Sequence, residues 1–258
     1  PAAQVAGPAL AGVLIAATSP AVVIAADAAS YAVSAAALAL LRFPAAERPR
    51  RQALLRDLAE GWAEFSAHTW LWLETVQFAL FNLLTWGPYL VLGPVLAREY
   101  LGGARAWGII VACYGAGAIL GGLLALGRKP RRPMLVSTLT TFGFALPPLG
   151  LALHLPAAAV AGCAVLAGLG SAFGGAFSTT VQQQRVPPAA LSRVGAFNMV
   201  GAYAFGPAAF AAAGPVAGIF GARAVLGFGA AWAAFGTLAV LCVPAIRRLP
   251  WQDSPPPR

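Results

Sequence analysis

From Pro133 to Gln184 the chain carries no Asp, Glu, Lys or Arg. The same is true between Arg105 and Arg128, between Arg193 and Arg223, and between Arg223 and Arg247. Runs of about 17–25 apolar residues are long enough to cross the hydrocarbon of a bilayer. There the backbone must satisfy its own hydrogen bonds, which makes each run a helix. A water-soluble chain would need far more polar surface: charged residues are 10% of this one, against about 25% in an average soluble domain. The fold class is therefore all-α, a polytopic membrane protein. A net charge of +9 would point to nucleic acid in a soluble protein. Here the arginines fall in the short gaps between apolar runs, where they set orientation, and no nucleic-acid partner is expected.

Eight spanning segments can be drawn, at 3–18, 21–42, 70–97, 106–127, 133–154, 157–180, 195–219 and 222–246. Charge tests the alternation. With the first residue in the cytoplasm, the inner gaps and tail hold fourteen Lys and Arg, including Arg128, Lys129, Arg131 and Arg132, while the outer gaps hold three, Arg98, Arg105 and Arg223. That asymmetry is the positive-inside pattern, and it places both ends of this chain in the cytoplasm of a cell whose plasma membrane it crosses several times. The longest gap, 43–69, begins Pro- and Arg-rich. It continues with Leu54, Leu58, Trp62 and Phe65 at helical spacing, either an interfacial helix on the inner leaflet or a helix packed on the bundle end.

The chain also echoes itself. Gly7-Pro8-Ala9-Leu10-Ala11-Gly12 opens an apolar passage that ends at Pro44, and Gly214-Pro215-Val216-Ala217-Gly218 opens another that ends at Pro250. Openings and closings are offset by 207 and 206 positions. Gly-Pro is costly inside a helix, so its recurrence reads as duplicated architecture, the plan of many secondary transporters. By that offset about four helices are expected to precede the chain, giving twelve in two halves. The first residue is Pro, with no signal peptide, in keeping with a start inside a longer protein. The expected divisions are 1–42, the last two helices of a first half; 43–69, a cytoplasmic linker; 70–248, a six-helix second half; and 249–258, a tail.

Chemistry-bearing residues are few. Cys113, Cys163 and Cys242 lie in apolar runs without C-x-x-C spacing, and His68 and His154 form no H-E-x-x-H, so neither metal nor cofactor is indicated. No second buried carboxylate pairs with Asp27 and no Ser-His or Ser-Lys set is visible, so no enzyme is expected. Asp27 is the only carboxylate well inside a segment. It is either a proton carrier or a neutral group bonded to Ser30 or a neighbouring helix. Glu74 is expected near the cytoplasmic interface, solvated.

Taken together these residues resemble the major facilitator superfamily, in its bacterial proton-coupled exporter-like branch. Gly7-Pro8-Ala9-Leu10-Ala11-Gly12 is similar to the fifth-helix antiporter motif, with Ala11 in place of one glycine. Ile24 through Tyr31, Glu60-Gly61-Trp62 through Trp72, and Val186-Pro187-Pro188 with Leu191-Ser192-Arg193-Val194 resemble its sixth helix, central-loop helix and loop between helices ten and eleven. The resemblance covers nearly the whole chain and implies helices five to twelve of a twelve-helix transporter working by alternating access. Gly127-Arg128-Lys129-Pro130-Arg131-Arg132 occupies the position of its cytoplasmic gate, but lacks the Asp expected before the first Arg, and Asn198 stands where relatives often carry Asp.

The resemblance makes the third segment cavity-lining, through Gln77, Phe78, Phe81, Asn82, Trp86 and Tyr89, and sets against it the tenth helix with Ser171, Phe173, Phe177 and Thr179. Such a wall suits bulky, largely apolar substrates. Helix packing and an interfacial aromatic belt are the plainer account of the same residues. The expected function is secondary active transport, proton-coupled efflux of small amphipathic compounds. Its partners are the bilayer, the substrate, protons and the missing helices of the same protein. The competing reading is a truncated or degenerate membrane protein with a scaffold role.

Overall fold

The computed structural model describes residue 18, residues 20–40 and residues 51–251, side chains at 20 and 51–55 excepted. Helix α1 is Pro20–Leu40 and α2 is Arg51–Ala67. They are followed by α3 (Thr69–Leu101), α4 (Ala104–Ala125), α5 (Pro133–Ala152), α6 (Ala157–Arg185), α7 (Leu191–Phe220) and α8 (Ala222–Leu241). A single turn, α9, spans Pro244–Arg247. Among the described residues seven helices, α1 and α3 to α8, are long and apolar enough to cross a membrane. They fall on seven of the eight expected segments. The segment at 3–18, with Gly7, Pro8 and Gly12, lies outside the described residues, and so does the comparison of the first pair of segments with the last.

Helices α3 to α8 form one bundle of two interlocked trios. The first helix of each trio packs on the second and third of the other: α3 on α7 and α8, and α6 on α4 and α5, while α5 and α8 meet each other. The tightest pairing is α4 with α6. A Cβ at Gly117 would overlap the Val165 carbonyl, one at Gly121 the Leu169 carbonyl, and one at Gly168 the Tyr114 carbonyl. Small residues on both helices let the backbones touch, which is how apolar helices associate where lipid removes the hydrophobic drive. The outer faces stay greasy, with Ile109, Leu123, Leu166, Ile219, Phe228 and Phe235 exposed.

Proline follows three of the places where the helices deform, because it withdraws a donor and crowds the carbonyl four residues back. Pro88 follows a widened turn at Asn82–Trp86, Pro147 and Pro148 follow a tightened turn at Thr141–Ala145, and Pro207 follows a break at 204–205. Pro94 and Pro215 stay within continuous α-helix, so proline does not deform every helix that carries it. At the widened turn the Thr85 hydroxyl donates to the Gly229 carbonyl at 2.7 Å, tying α3 to α8.

Two apolar cores close the bundle at opposite ends. One, at the arginine-rich end, gathers Trp70, Leu71, Met134, Val181, Val194 and Ile246. The other gathers Tyr89, Leu92, Ile110, Leu151, Val160 and Leu226. Helix α2 docks on the arginine-rich end through Phe65, which joins that core, and leaves Leu58 and Trp62 exposed. Trp62 and Phe65 each meet the Phe197 ring of α7. Arg193 of α7 reaches Asp57 at 2.7 Å and Glu60 at 3.4 Å. Among the described residues no part of helix α1 is buried, and Ile24, Tyr31 and Val33 are exposed. A surface that apolar needs lipid or further protein against it.

Candidate functional site

Between the two cores lies a cavity of about 630 Å³. Helical periodicity explains its walls. On α3, Glu74, Gln77, Phe78 and Phe81 follow i, i+3, i+4, i+7, and on α6 Ser171, Gly175, Ser178 and Gln182 share one face. Gly195, Asn198, Met199 and Ala202 do the same on α7, and Ala233, Gly236 and Thr237 on α8. Helix α5 adds Ser137, Thr138, Thr140, Thr141 and Phe144. From Glu74 and Gln182 towards the arginine-rich end, the cavity runs inward to Trp86, Tyr114, Phe144 and Trp232. Glu74 and Trp86 are about 18 Å apart along the helix axis at ~1.5 Å per residue.

The walls are pinned by hydrogen bonds between helices. The Ser178 hydroxyl donates to Glu74 Oε1 at 2.6 Å, and the Thr75 hydroxyl donates to Asn198 Oδ1 at 2.8 Å. The Asn82 amide donates to the Ala202 carbonyl at 3.1 Å, Thr141 and Thr237 share a hydroxyl contact at 2.8 Å, and Tyr114 donates to Ser171 at 3.1 Å. Each such bond in a membrane bundle contributes on average about 0.6 kcal/mol. They fix which faces meet more than they fix stability. The inner end is aromatic: Phe81 lies 5.0 Å from Phe144, and Trp86 lies 5.8 Å from Phe144 and 5.7 Å from Tyr114, between ring centres.

The structure brings five of the expected wall residues, Gln77, Phe78, Phe81, Asn82 and Trp86, onto this cavity, with Ser171 and Thr179 opposite. Three expected residues lie elsewhere. Tyr89 is buried in the outer core, its ring 5.4 Å from Trp86 and 5.2 Å from Trp107. Phe173 and Phe177 lie off the α6 face formed by Ser171, Gly175 and Ser178. Phe177 is buried, with Phe173 and Trp251 against it. Glu74, expected solvated near the cytoplasmic interface, lies half-buried at the arginine-rich end of the cavity, bonded by Ser178. Its place on the Gln77, Phe81 face turns it inward, and that spacing was visible in the sequence. The Ser137 to Thr141 run, four hydroxyls in an apolar segment, signalled the α5 wall in the same way.

Asp27 lies on exposed α1, where the Ser30 hydroxyl donates to its backbone carbonyl at 2.7 Å rather than to its carboxylate. Gly214, Pro215 and Gly218 are exposed, with open space at both glycines. Arg128, Lys129, Arg131 and Arg132 are exposed too. Arg128 caps its own helix through the Leu124 carbonyl. Among the described residues no carboxylate forms an ion pair with these four cations. The loop is held instead by Trp251, whose indole donates to the Pro130 carbonyl at 2.7 Å. Among the described residues no group of His, Cys, Asp and Glu could hold a metal ion.

A bundle of membrane-length helices around a polar and aromatic cavity defines a polytopic membrane protein of the transporter class. The family model for transmembrane secretion effectors, a branch of the major facilitator superfamily, matches residues 2–255, and the chain belongs to that family. No curated protein and no solved structure matches it.

Proposed function

We propose that the protein is a secondary active exporter that moves small amphipathic compounds out of the cell in exchange for protons, by alternating access. The observation that carries the reading is the cavity: about 630 Å³, bounded by six helices, each of which contributes a hydroxyl or an amide, with aromatic rings at its inner end. Sites for small molecules have this size and character, mostly apolar with few orienting polar groups. A packing-only bundle would fill such a volume with side chains. On this reading Gln77, Phe78, Phe81, Asn82 and Trp86 contact substrate. Arg128, Lys129, Arg131 and Arg132 lie on the cytoplasmic side as part of the gate, and Asp27 is a proton-coupling candidate on a helix outside the bundle. The exposed Gly214, Pro215 and Gly218 offer a smooth surface against which a second group of helices can shift.

The test is transport by the full-length gene product in energised membrane vesicles. Efflux of lipophilic dyes should stop when the proton gradient is dissipated. Efflux indifferent to the gradient defeats the coupled-exporter reading.

A further inference from the structure

Among the described residues that line the cavity, Glu74 is the only one with a charged side chain. We propose that the cavity takes a lipophilic monocation, its positive centre at Glu74 and its apolar body along the aromatic wall, and that proton and cation compete for this one carboxylate. The inference rests on the transport reading above and adds the substrate's charge and the exchange site.

Three observations support it. First, Ser178 supplies one hydrogen bond to Oε1, and no cation among the described residues pairs with Glu74. A carboxylate half-buried among apolar helices is costly to leave without a counter-charge or a proton. Second, none of the basic side chains at this end of the bundle is paired with Glu74 among the described residues. Arg193 pairs with Asp57 and Glu60 and His68 contacts the Glu64 carbonyl, while Arg185 donates through one terminal nitrogen to the Pro250 carbonyl and, among the described residues, leaves its buried Nε without a partner. The other titratable groups on the wall are Tyr114 and Tyr203, while α5, α8 and α9 present no charged side chain to the cavity. Third, Phe78 and Phe81 stand one and two turns along the same face, and Tyr203 packs edge-on against Phe78. Aromatic faces attract cations as well as apolar surface.

The exchange then balances. A proton binds the Glu74 carboxylate, giving the neutral acid, as the monocation leaves. On the return step the acid loses that proton and the next cation takes its place. One positive charge moves each way, so the cycle carries no net charge and responds to the pH gradient, not to membrane voltage.

Purified full-length protein in detergent, with tetraphenylphosphonium as probe, tests this without any gradient. Wild type should bind the probe, release close to one proton per cation bound, and bind more weakly as pH falls. Glu74→Gln should weaken probe binding by at least about tenfold and abolish proton release. Glu74→Asp, which keeps the charge, should retain both, and size-exclusion profiles report whether each variant is folded. Probe binding that is unchanged in folded Glu74→Gln, or without proton release in wild type, overturns the proposal. So does tight binding of tetraphenylborate with none of the cation. Cation binding with proton release but no efflux in vesicles would sink the transport reading and leave this assignment standing.

Discussion

The α-carbon of Gly168 rests against the carbonyl oxygen of Tyr114, so closely that no side chain fits between α6 and α4. Tyr114 is also a cavity residue whose hydroxyl reaches Ser171, one turn on from Gly168. The packing contact and the wall of the cavity are thus set by the same two helices.

Gly168→Ala should therefore cost about 1–3 kcal/mol, since overpacking forces the helices apart. Gly122→Ala, in the same kind of glycine run but with open space around it, should be neutral or slightly stabilising, because Ala is the better helix former. Thermal unfolding of the two purified variants measures the difference. Equal losses would mean that the α4–α6 contact is not where this pair of helices is held.

Gly175 and Gly236 line the cavity, and a Cβ at either meets nothing within 4 Å. Leucine at these positions should be tolerated by the fold and should fill the cavity. The expected outcome is a melting temperature close to wild type with efflux reduced by at least about tenfold, a barrier or affinity change near 1.4 kcal/mol. Undiminished efflux in both variants would place the pathway elsewhere.

Acid should loosen α2. The Glu60 carboxyl is held below its ordinary range, first by the hydrogen bond from Arg56, with the charges of Arg56 and Arg193 adding to it. The same hydrogen bond raises Arg56. A carboxyl depressed in the folded state contributes order above its unfolded value, roughly 4.3. That contribution is lost as pH falls through the lower folded value. Hydrogen exchange of α2 amides, corrected for the intrinsic rate, should accelerate only in this acid window. Arg193→Gln, which removes the tie to Asp57 and Glu60, should raise exchange already at neutral pH. Exchange unaffected by either change would show α2 held by Phe65 and Phe197 alone.

Orientation has its own test. In a background without Cys113, Cys163 and Cys242, a cysteine replacing Arg131 should react with a membrane-impermeant maleimide only after the cells are opened. One replacing Arg105 or Arg223 should react in intact cells. The reverse pattern would invert the topology.

Much of the bundle could be read along the chain because each span is a local property. An uncharged run between Arg132 and Arg185 has to cross, turn and cross again, whichever neighbours it meets. The helix bends were partly readable as well. Pro88 and Pro147-Pro148 deform the turns before them, but Pro94 and Pro215 do not. Proline removes a bond everywhere, and surrounding packing decides whether the helix yields.

The cavity wall was read only in part. Gln77, Phe78, Phe81, Asn82 and Trp86 line it as the resemblance implies, whereas Tyr89, Phe173 and Phe177, expected with them, lie in packing contacts instead. The position of Glu74 within its run says how far along the helix it lies but not which way it points.

The order of residues alone settled that this chain crosses a membrane repeatedly, where the crossings fall, and which turns carry the positive charge, since length, hydropathy and charge count need no knowledge of neighbours. Tertiary structure alone decided how each helix is rotated about its axis. A helix that is apolar all round presents similar faces to lipid and to protein. Its rotation is set by glycine contacts such as Gly168 with Tyr114, and by bonds such as Ser178 to Glu74, 104 residues apart in the chain.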